Sequence, residues 1–169
     1  MRITIVGLPG SGKSYLGRAI EEKLHISHIH IDRFWFEAGG RTGSHDTPNI
    51  DQVRAHVREK VLAAISETSW VSDGIYSKVQ PDIANKADVM IFLDIPLWKR
   101  LGNHMQRLIN LSGRHRELGL WDDVKFFVEI IKRNFINKPK LTRILKQYRN
   151  KLITLHSRKE IEQYLKNLD

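Results

Sequence analysis

Residues 1–17 read MRITIVGLPGSGKSYLG, and the segment GLPGSGKS from Gly7 to Ser14 fits the pattern G-x-x-x-x-G-K-[ST]. Before this segment, residues 2–6 form a β-branched run that is typical of a strand. After it, apolar side chains recur every four positions, which places them on one face of a helix. Strand, glycine-rich turn and helix therefore follow in the order that a phosphate-binding loop requires, and an ordinary glycine-rich turn is the weaker interpretation.

The chemistry of such a loop predicts a bound nucleotide. Its bend lets consecutive N–H groups point at one anion, and the helix that follows adds its positive end. We expect Lys13 to bridge the β- and γ-phosphates of ATP and Ser14 to coordinate Mg²⁺. The predicted nucleotide-binding residues are Gly7, Pro9, Gly10, Ser11, Gly12, Lys13, Ser14 and Tyr15.

Length and composition limit what can surround the loop. The chain has 169 residues, 41% hydrophobic residues and no cysteine. This suits one domain spanning residues 1–169, and it excludes disulfides and cysteine-ligated zinc. No apolar run approaches the ~18 residues of a membrane span, and the N-terminal apolar stretch is too short for a secretory signal. We therefore expect a cytoplasmic protein without membrane association, whose oligomeric state the sequence does not indicate.

The positive charge is concentrated in one segment. The net charge is +9, yet residues 99–151 hold 14 Lys or Arg and 4 Asp or Glu, a net of +10, which leaves −1 for the remainder. Two interpretations stay open: a surface that contacts nucleic acid, or a cationic lid that closes over nucleotide phosphates.

Strand and helix patterns alternate along the chain. Helical spacing follows the second strand over 50–65 and returns over 124–135 and 141–148, with Pro139 suited to a helix first turn. Ser157 and Glu160 form a capping box before a final amphipathic helix. The pattern predicts an α/β fold with helices on both faces of a parallel sheet. The predicted strands are 2–6, 26–32, 70–73, 88–94 and 151–156.

Three predicted strands end in an aspartate, namely Asp32, Asp73 and Asp94. Parallel strands deliver their carboxyl ends to one edge of the sheet, where ligands collect. One aspartate at a strand end is commonly a turn former or helix cap. Three aspartates beside a phosphate loop favour phosphoryl transfer. That reaction needs a carboxylate to hold Mg²⁺, and with a hydroxyl acceptor it needs another to orient the hydroxyl or accept its proton.

Four segments in this order resemble the adenylate-kinase-like P-loop kinases, and more closely the DNA topology modulation (FlaR-type) proteins. They are GLPGSGKS, HIHIDRFWF, WVSDGIY and DVMIFLDIP. The resemblance implies a P-loop NTPase three-layer sandwich whose five-stranded parallel sheet has the order 2-3-1-4-5. It also implies an acceptor-side insertion at about 33–66 and a short helical lid at about 107–121. Asp73 corresponds to the aspartate of the adenylate-kinase segment D-G-x-P-R.

Departures from adenylate kinase bear on the acceptor. After Gly74 the chain reads Ile-Tyr-Ser at 75–77, without the arginine that would hold an acceptor phosphate. Asp32 stands where adenylate kinases carry Thr or Ser with a nearby arginine. A carboxylate repels a phosphate acceptor and assists a hydroxyl one, such as a nucleoside or sugar. Arg33 and Arg41 could nevertheless hold an acceptor phosphate, so a nucleoside monophosphate also stays open as the acceptor.

The basic segment supplies candidates for the lid. Related kinases carry two arginines four residues apart after a proline that corresponds to Pro96, and here those positions hold Asn103 and Arg107. Planar, permanently charged guanidinium groups stabilise the charge on a transferring phosphoryl group. The predicted lid arginines are Arg107, Arg114 and Arg116.

The remaining Mg²⁺ contact falls to Asp73 or Asp94. Asp94 ends an apolar strand as a Walker-B carboxylate would, whereas Asp73 has the family correspondence. The sequence does not separate the two.

Aromatic residues at 34–36 could stack on an acceptor base or serve as hydrophobic cover for a loop.

Two other patterns do not support a functional interpretation. The NKAD stretch at 85–88 spells a guanine-reading motif, but it precedes its strand and so lies at the wrong edge of the sheet. His28 and His30 share a strand face that could ligate metal, but no third ligand is in view.

The sequence thus predicts an enzyme that transfers the γ-phosphoryl group of Mg-ATP to a small molecule, with a nucleoside-like or other hydroxyl acceptor favoured. Its catalytic candidates are Lys13, Asp32, Asp73 and the three lid arginines. The alternative is an ATP-binding regulatory protein associated with DNA topology, which would contact nucleic acid through residues 99–151. Nucleic acid is the less favoured partner, because no helix-turn-helix or zinc-finger pattern accompanies the positive charge of residues 99–151.

Overall fold

A five-stranded parallel sheet forms the centre of the computed structural model, which describes residues 1–41, 47–74, 79–111 and 120–168. Its order is β2-β3-β1-β4-β5, which confirms the predicted order and fits the P-loop NTPase fold. The strands are β1 (Arg2–Gly7), β2 (Ser27–His30), β3 (Trp70–Asp73), β4 (Val89–Leu93) and β5 (Leu152–Leu155).

Helices cover both faces of this sheet. They are α1 (Lys13–Leu24), α2 (Ile31–Glu37), α3 (Ile50–Ala64), α4 (Gln80–Lys86), α5 (Leu97–Leu111), α6 (Leu120–Leu145) and α7 (Arg158–Lys166). Apolar side chains of α1 and α7 pack with Ile3, Ile5 and Ile91 on one face. On the other face, α6 packs against Val6 and Phe92, and α3 packs against side chains of β2 and β3. Among the described helices, none is both long and apolar enough to cross a membrane.

The second strand is shorter than predicted. It ends at His30, and Asp32 lies in the first turn of α2, so Asp32 is not at a strand end as the sequence suggested. β2 is an edge strand whose neighbour β3 ends at Asp73, the residue paired with His30. Beyond His30 the backbone has no strand to pair with, and turning into a helix satisfies its polar groups.

Pro139 lies inside α6 and does not begin a new helix. The two helices predicted over 124–135 and 141–148 are therefore largely one, with a short 3₁₀ turn at Lys146–Tyr148. Leu141 and Leu145 are buried against the sheet, so the apolar face continues past the proline. Packing of that face offsets the backbone hydrogen bond that a proline cannot make.

The helix cap and the NKAD stretch lie where the sequence places them. The Ser157 hydroxyl accepts the Glu160 N–H at 3.2 Å, which begins α7. Asp88, the last residue of NKAD, accepts the Arg2 N–H at 2.8 Å. Because Arg2 is the first residue of β1, NKAD lies at the amino edge of the sheet, opposite the glycine-rich loop.

Candidate active site

The glycine-rich loop between β1 and α1 is shaped by two residues in left-handed conformation. Gly10 has φ of +78° and Gly12 has φ of +93°, a region that residues with a Cβ rarely adopt. A Cβ at Gly10 would also lie 2.8 Å from the Arg100 carbonyl oxygen. Inside the bend, the Ser11 N–H donates to the Leu8 carbonyl at 3.2 Å. The loop therefore needs glycine at these positions to reach the start of α1 without strain.

Lys13 is the first residue of α1, and its ammonium group points back along the loop. Its Nζ donates to the Leu8 carbonyl at 3.4 Å, which is a long and weak hydrogen bond. Burial lowers the pKa of Lys13, and the carboxylates of Asp32 and Asp73 oppose that effect. Lys13 is therefore a shielded cation whose hydrogen bond to Leu8 is weak.

Asp73 is the last residue of β3 and is 3% exposed. Burial raises the pKa of Asp73, but polar contacts from His28 and Ser14 and the nearby charge of His30 outweigh burial, so that the pKa lies below its usual value. The group therefore stays ionised near neutral pH. The Asp73 carboxylate interacts with both Ser14 and Lys13. These three residues therefore form one site.

The other two aspartates have different surroundings. Asp32 is exposed, and its Oδ1 lies 3.7 Å from the position that a Cβ on Gly74 would occupy. Asp94 follows β4, and its Oδ1 lies 2.7 Å from Lys138 Nζ on α6, with His156 Nδ1 3.7 Å from its other oxygen. Asp32 thus adjoins the end of β3, whereas Asp94 is held in an ion pair.

Sequence reasoning missed Arg100, a fully buried guanidinium on α5. The side chain donates from Nε to the Ile95 carbonyl at 3.1 Å, from Nη1 to the Pro9 carbonyl at 3.3 Å, and from Nη2 to Asn134 Oδ1. Desolvation lowers the pKa of Arg100, partly opposed by the charge of Asp94. The signal available in the sequence is an arginine four residues after Pro96, a position that belongs to none of the recognised motifs.

Asn103 stands at the first of the two arginine positions of related kinases, and its Nδ2 donates to the Gly10 carbonyl at 2.9 Å. Both Asn103 and Arg100 therefore hold the loop through backbone oxygens. Arg107 continues α5, but its side chain lies outside the described part of the structure. Arg114 and Arg116 lie outside the described residues, as do Ile75, Tyr76 and Ser77.

The residues flanking the site have mainly structural contacts. Phe34 and Trp35 pack against the core beneath α3, and Trp35 Nε1 donates to the Arg41 carbonyl at 2.9 Å. Phe36 is 55% exposed. Arg33 forms an exposed ion pair with Glu37 one turn later. Elsewhere, the Arg158 guanidinium lies 5.5 Å from the centre of the Tyr15 ring, so the predicted nucleotide-binding residue Tyr15 contacts α7 here.

The two histidines of β2 have a third polar neighbour that inspection of the sequence did not find. The ring centres of His28 and His30 are 4.1 Å apart, and both imidazoles lie within 3.4 Å of the Asp73 carboxylate. Asp73 is more than forty positions away in sequence, and pairing of β2 with β3 brings it close.

Comparisons with known proteins give two distant relatives. The chain is 26% identical over 133 residues to a shikimate kinase of Clostridium beijerinckii, an alignment that covers 72% of this chain and 76% of the relative. It is 29% identical over 133 residues to a UPF0200 protein of Aeropyrum pernix, covering 71% of this chain and 68% of the relative. No protein-family model matches the chain.

These similarities agree with the geometry. The sheet order, the glycine-rich loop with Lys13 at the start of α1, and the distant likeness to a shikimate kinase converge on one type of protein. Together they support a distant similarity of this chain to the P-loop kinases.

Proposed function

We propose that this protein transfers the γ-phosphoryl group of Mg-ATP to a hydroxyl group of a small molecule. The observation that carries the proposal is the convergence of Lys13, Ser14 and the ionised Asp73 at the carboxyl ends of β1 and β3. The distant likeness to a protein named shikimate kinase supports a small-molecule substrate. A nucleoside-like compound is one proposed acceptor, and resemblance to the topology modulation proteins remains a prediction.

The donor atoms beside the loop fit Mg²⁺. Ser14 offers a hydroxyl oxygen and Asp73 a carboxylate oxygen, and Mg²⁺ prefers hard oxygen ligands with several retained waters. We assign the protein contacts of Mg²⁺ to these two residues, because Asp94 is already paired with Lys138. When bound, Mg²⁺ neutralises charge on the β- and γ-phosphate oxygens.

Asp32 acts on the acceptor. In this proposal its carboxylate accepts the hydroxyl proton while the acceptor oxygen forms a bond to the γ-phosphorus, and the bond from the β–γ bridging oxygen to that phosphorus breaks. ADP then leaves with the bridging oxygen. The exposure of Asp32 and its place beside Gly74 leave it accessible to a small molecule.

Arginine side chains are the last part of the proposed active site. We assign Arg107, Arg114 and Arg116 to a lid that approaches the β- and γ-phosphates. Their permanent charge and planar donors suit the charge that spreads over the transferring group.

An acceptor screen tests the proposal. ADP release is measured with nucleosides, sugars, shikimate and nucleoside monophosphates, and we expect stimulation by a hydroxyl compound. The Asp32→Asn variant should lower kcat with that acceptor by about 10²- to 10⁴-fold, the usual contribution of a positioned base. Asp51→Asn is the matched control, because Asp51 is also an exposed aspartate in a helix first turn, and it should keep full activity.

Two results would contradict this function. Turnover of AMP alone would refute the hydroxyl acceptor. No acceptor-dependent ATP use, together with salt-dependent DNA binding that charge reversal in residues 99–151 abolishes, would instead favour the regulatory alternative.

A further inference from the structure

Two histidines of β2 lie close to the aspartate that ends β3. One donor atom each from His28, His30 and Asp73 lies within 4.8 Å of the others. Asp73 Oδ1 is 3.4 Å from His28 Nε2 and 2.7 Å from His30 Nδ1. The cluster therefore brings two imidazole nitrogens and one carboxylate oxygen close together.

Two atoms of this cluster are buried without a hydrogen bond. The side chains of His28 and Asp73 are 3% and 4% exposed. Among the described residues, neither His28 Nε2 nor Asp73 Oδ1 has a partner in hydrogen-bond geometry. Buried polar atoms are nearly always satisfied in folded proteins, so this pair calls for an explanation.

The Glu21 carboxylate lies behind the His28 ring, on the side of Nδ1. Its Oε2 lies 3.3 Å from His28 Nδ1, and an ionised carboxylate only accepts hydrogen bonds. With a proton on Nδ1 directed at Glu21, Nε2 would present its lone pair toward Asp73 Oδ1, 3.4 Å away. Two acceptors then face each other, and a cation between them would make both into ligands. A carboxylate behind a histidine is also a recurrent arrangement around protein metal ions.

We propose that His28, His30 and Asp73 bind one divalent transition-metal ion of the zinc type. Imidazole together with carboxylate suits Zn²⁺, Ni²⁺ or Co²⁺, whereas Mg²⁺ favours oxygen donors alone. Three protein ligands leave the ion a further position for water. The α1 backbone packs closely on the site, since a Cβ at Gly17 would lie 2.4 Å from His28 Nε2.

This site goes beyond the proposed kinase function and is tested without nucleotide. Because it shares Asp73 with the proposed Mg²⁺ contact, occupancy by Zn²⁺ should also raise the Mg²⁺ concentration that ATP turnover requires. Metal binding and phosphoryl transfer remain separately measurable.

The test is titration of the full chain with Co²⁺, followed by visible absorption, and with Zn²⁺ in a calorimeter. We expect one ion per chain and the intense absorption of four- or five-coordinate Co²⁺. His30→Gln should weaken Zn²⁺ binding by at least about a hundredfold, and Glu21→Gln by about 10- to 100-fold. His56→Gln replaces an exposed histidine on α3 and should leave the affinity unchanged.

His30 is the preferred ligand to replace, because its side chain is 34% exposed and the variant should fold. Equal Zn²⁺ affinity of the His30→Gln and His56→Gln variants would overturn the assignment, as would a Co²⁺ spectrum identical to that of the aqueous ion. Intact metal binding in a chain that binds no ATP would overturn the kinase proposal alone.

Discussion

Replacing Asp73 by asparagine lowers ATP turnover by about a hundredfold to a thousandfold and raises the Mg²⁺ concentration needed for half-maximal rate. We expect this because Asn has almost the same shape as Asp but lacks the charge that holds the metal ion at the γ-phosphate. Asp73 is the buried and ionised carboxylate in contact with Ser14, the residue that offers the other proposed oxygen ligand to Mg²⁺. The measurement is kcat across a Mg²⁺ titration with the acceptor found in the screen.

Asp94→Asn is the control for Asp73→Asn. Asp94 also lies at the carboxyl edge of the sheet, but its charge is paired with Lys138. We expect the turnover of Asp94→Asn to fall much less than that of Asp73→Asn, because Asp94 is engaged by Lys138 and is not assigned to Mg²⁺. A zinc-selective chelator in every assay keeps the result independent of the cluster with His28 and His30. Equal losses in the two variants would contradict the assignment of Mg²⁺ to Asp73.

Replacing Arg100 by alanine lowers the free energy of unfolding by about 3–5 kcal/mol, the range expected when a large buried side chain and its hydrogen bonds are lost together. The change leaves the carbonyls of Pro9 and Ile95 and the amide of Asn134 without their donor. It also opens a cavity between α5, α6 and the loop. Urea denaturation followed by circular dichroism measures the loss.

Arg149→Ala is the matched control for Arg100→Ala, because Arg149 is exposed, and its stability should change by less than about 0.5 kcal/mol. Arg100→Lys keeps the charge but not the forked donor geometry, and we expect an intermediate loss. If Arg100→Ala were as stable as Arg149→Ala, the guanidinium would not hold the loop to α5.

Local patterns predicted the sheet well. Alternating strand and helix signals gave five strands of a parallel sheet, and β3 begins and ends at the predicted residues, whereas the order 2-3-1-4-5 came from the family resemblance. The errors lie where neighbours in space decide the outcome. β2 ends early because its partner ends, and α6 continues through Pro139 because Leu141 and Leu145 find a buried surface.

The candidate site was predictable only where it follows one continuous motif. Lys13 and Ser14 come directly from the loop pattern, and their position at the start of α1 matches it. Arg100 carries no motif, because its role comes from burial and from hydrogen bonds to the Ile95 and Pro9 carbonyls and to the Asn134 side-chain oxygen. The meeting of Asp73 with His28 depends on pairing between β2 and β3, which spacing along the chain does not encode.

The most direct measurement is ATP binding to the purified protein in the presence of Mg²⁺, by calorimetry. The account predicts saturable binding of one ATP per chain. Lys13→Ala should weaken it by about 10- to 100-fold, which corresponds to one lost hydrogen bond between charged groups. Lys23→Ala, at the far end of α1, should bind ATP as the unaltered protein does. A folded chain that retains no ATP, or a Lys13→Ala variant that binds it equally well, would contradict the claim that this loop holds the phosphates of ATP.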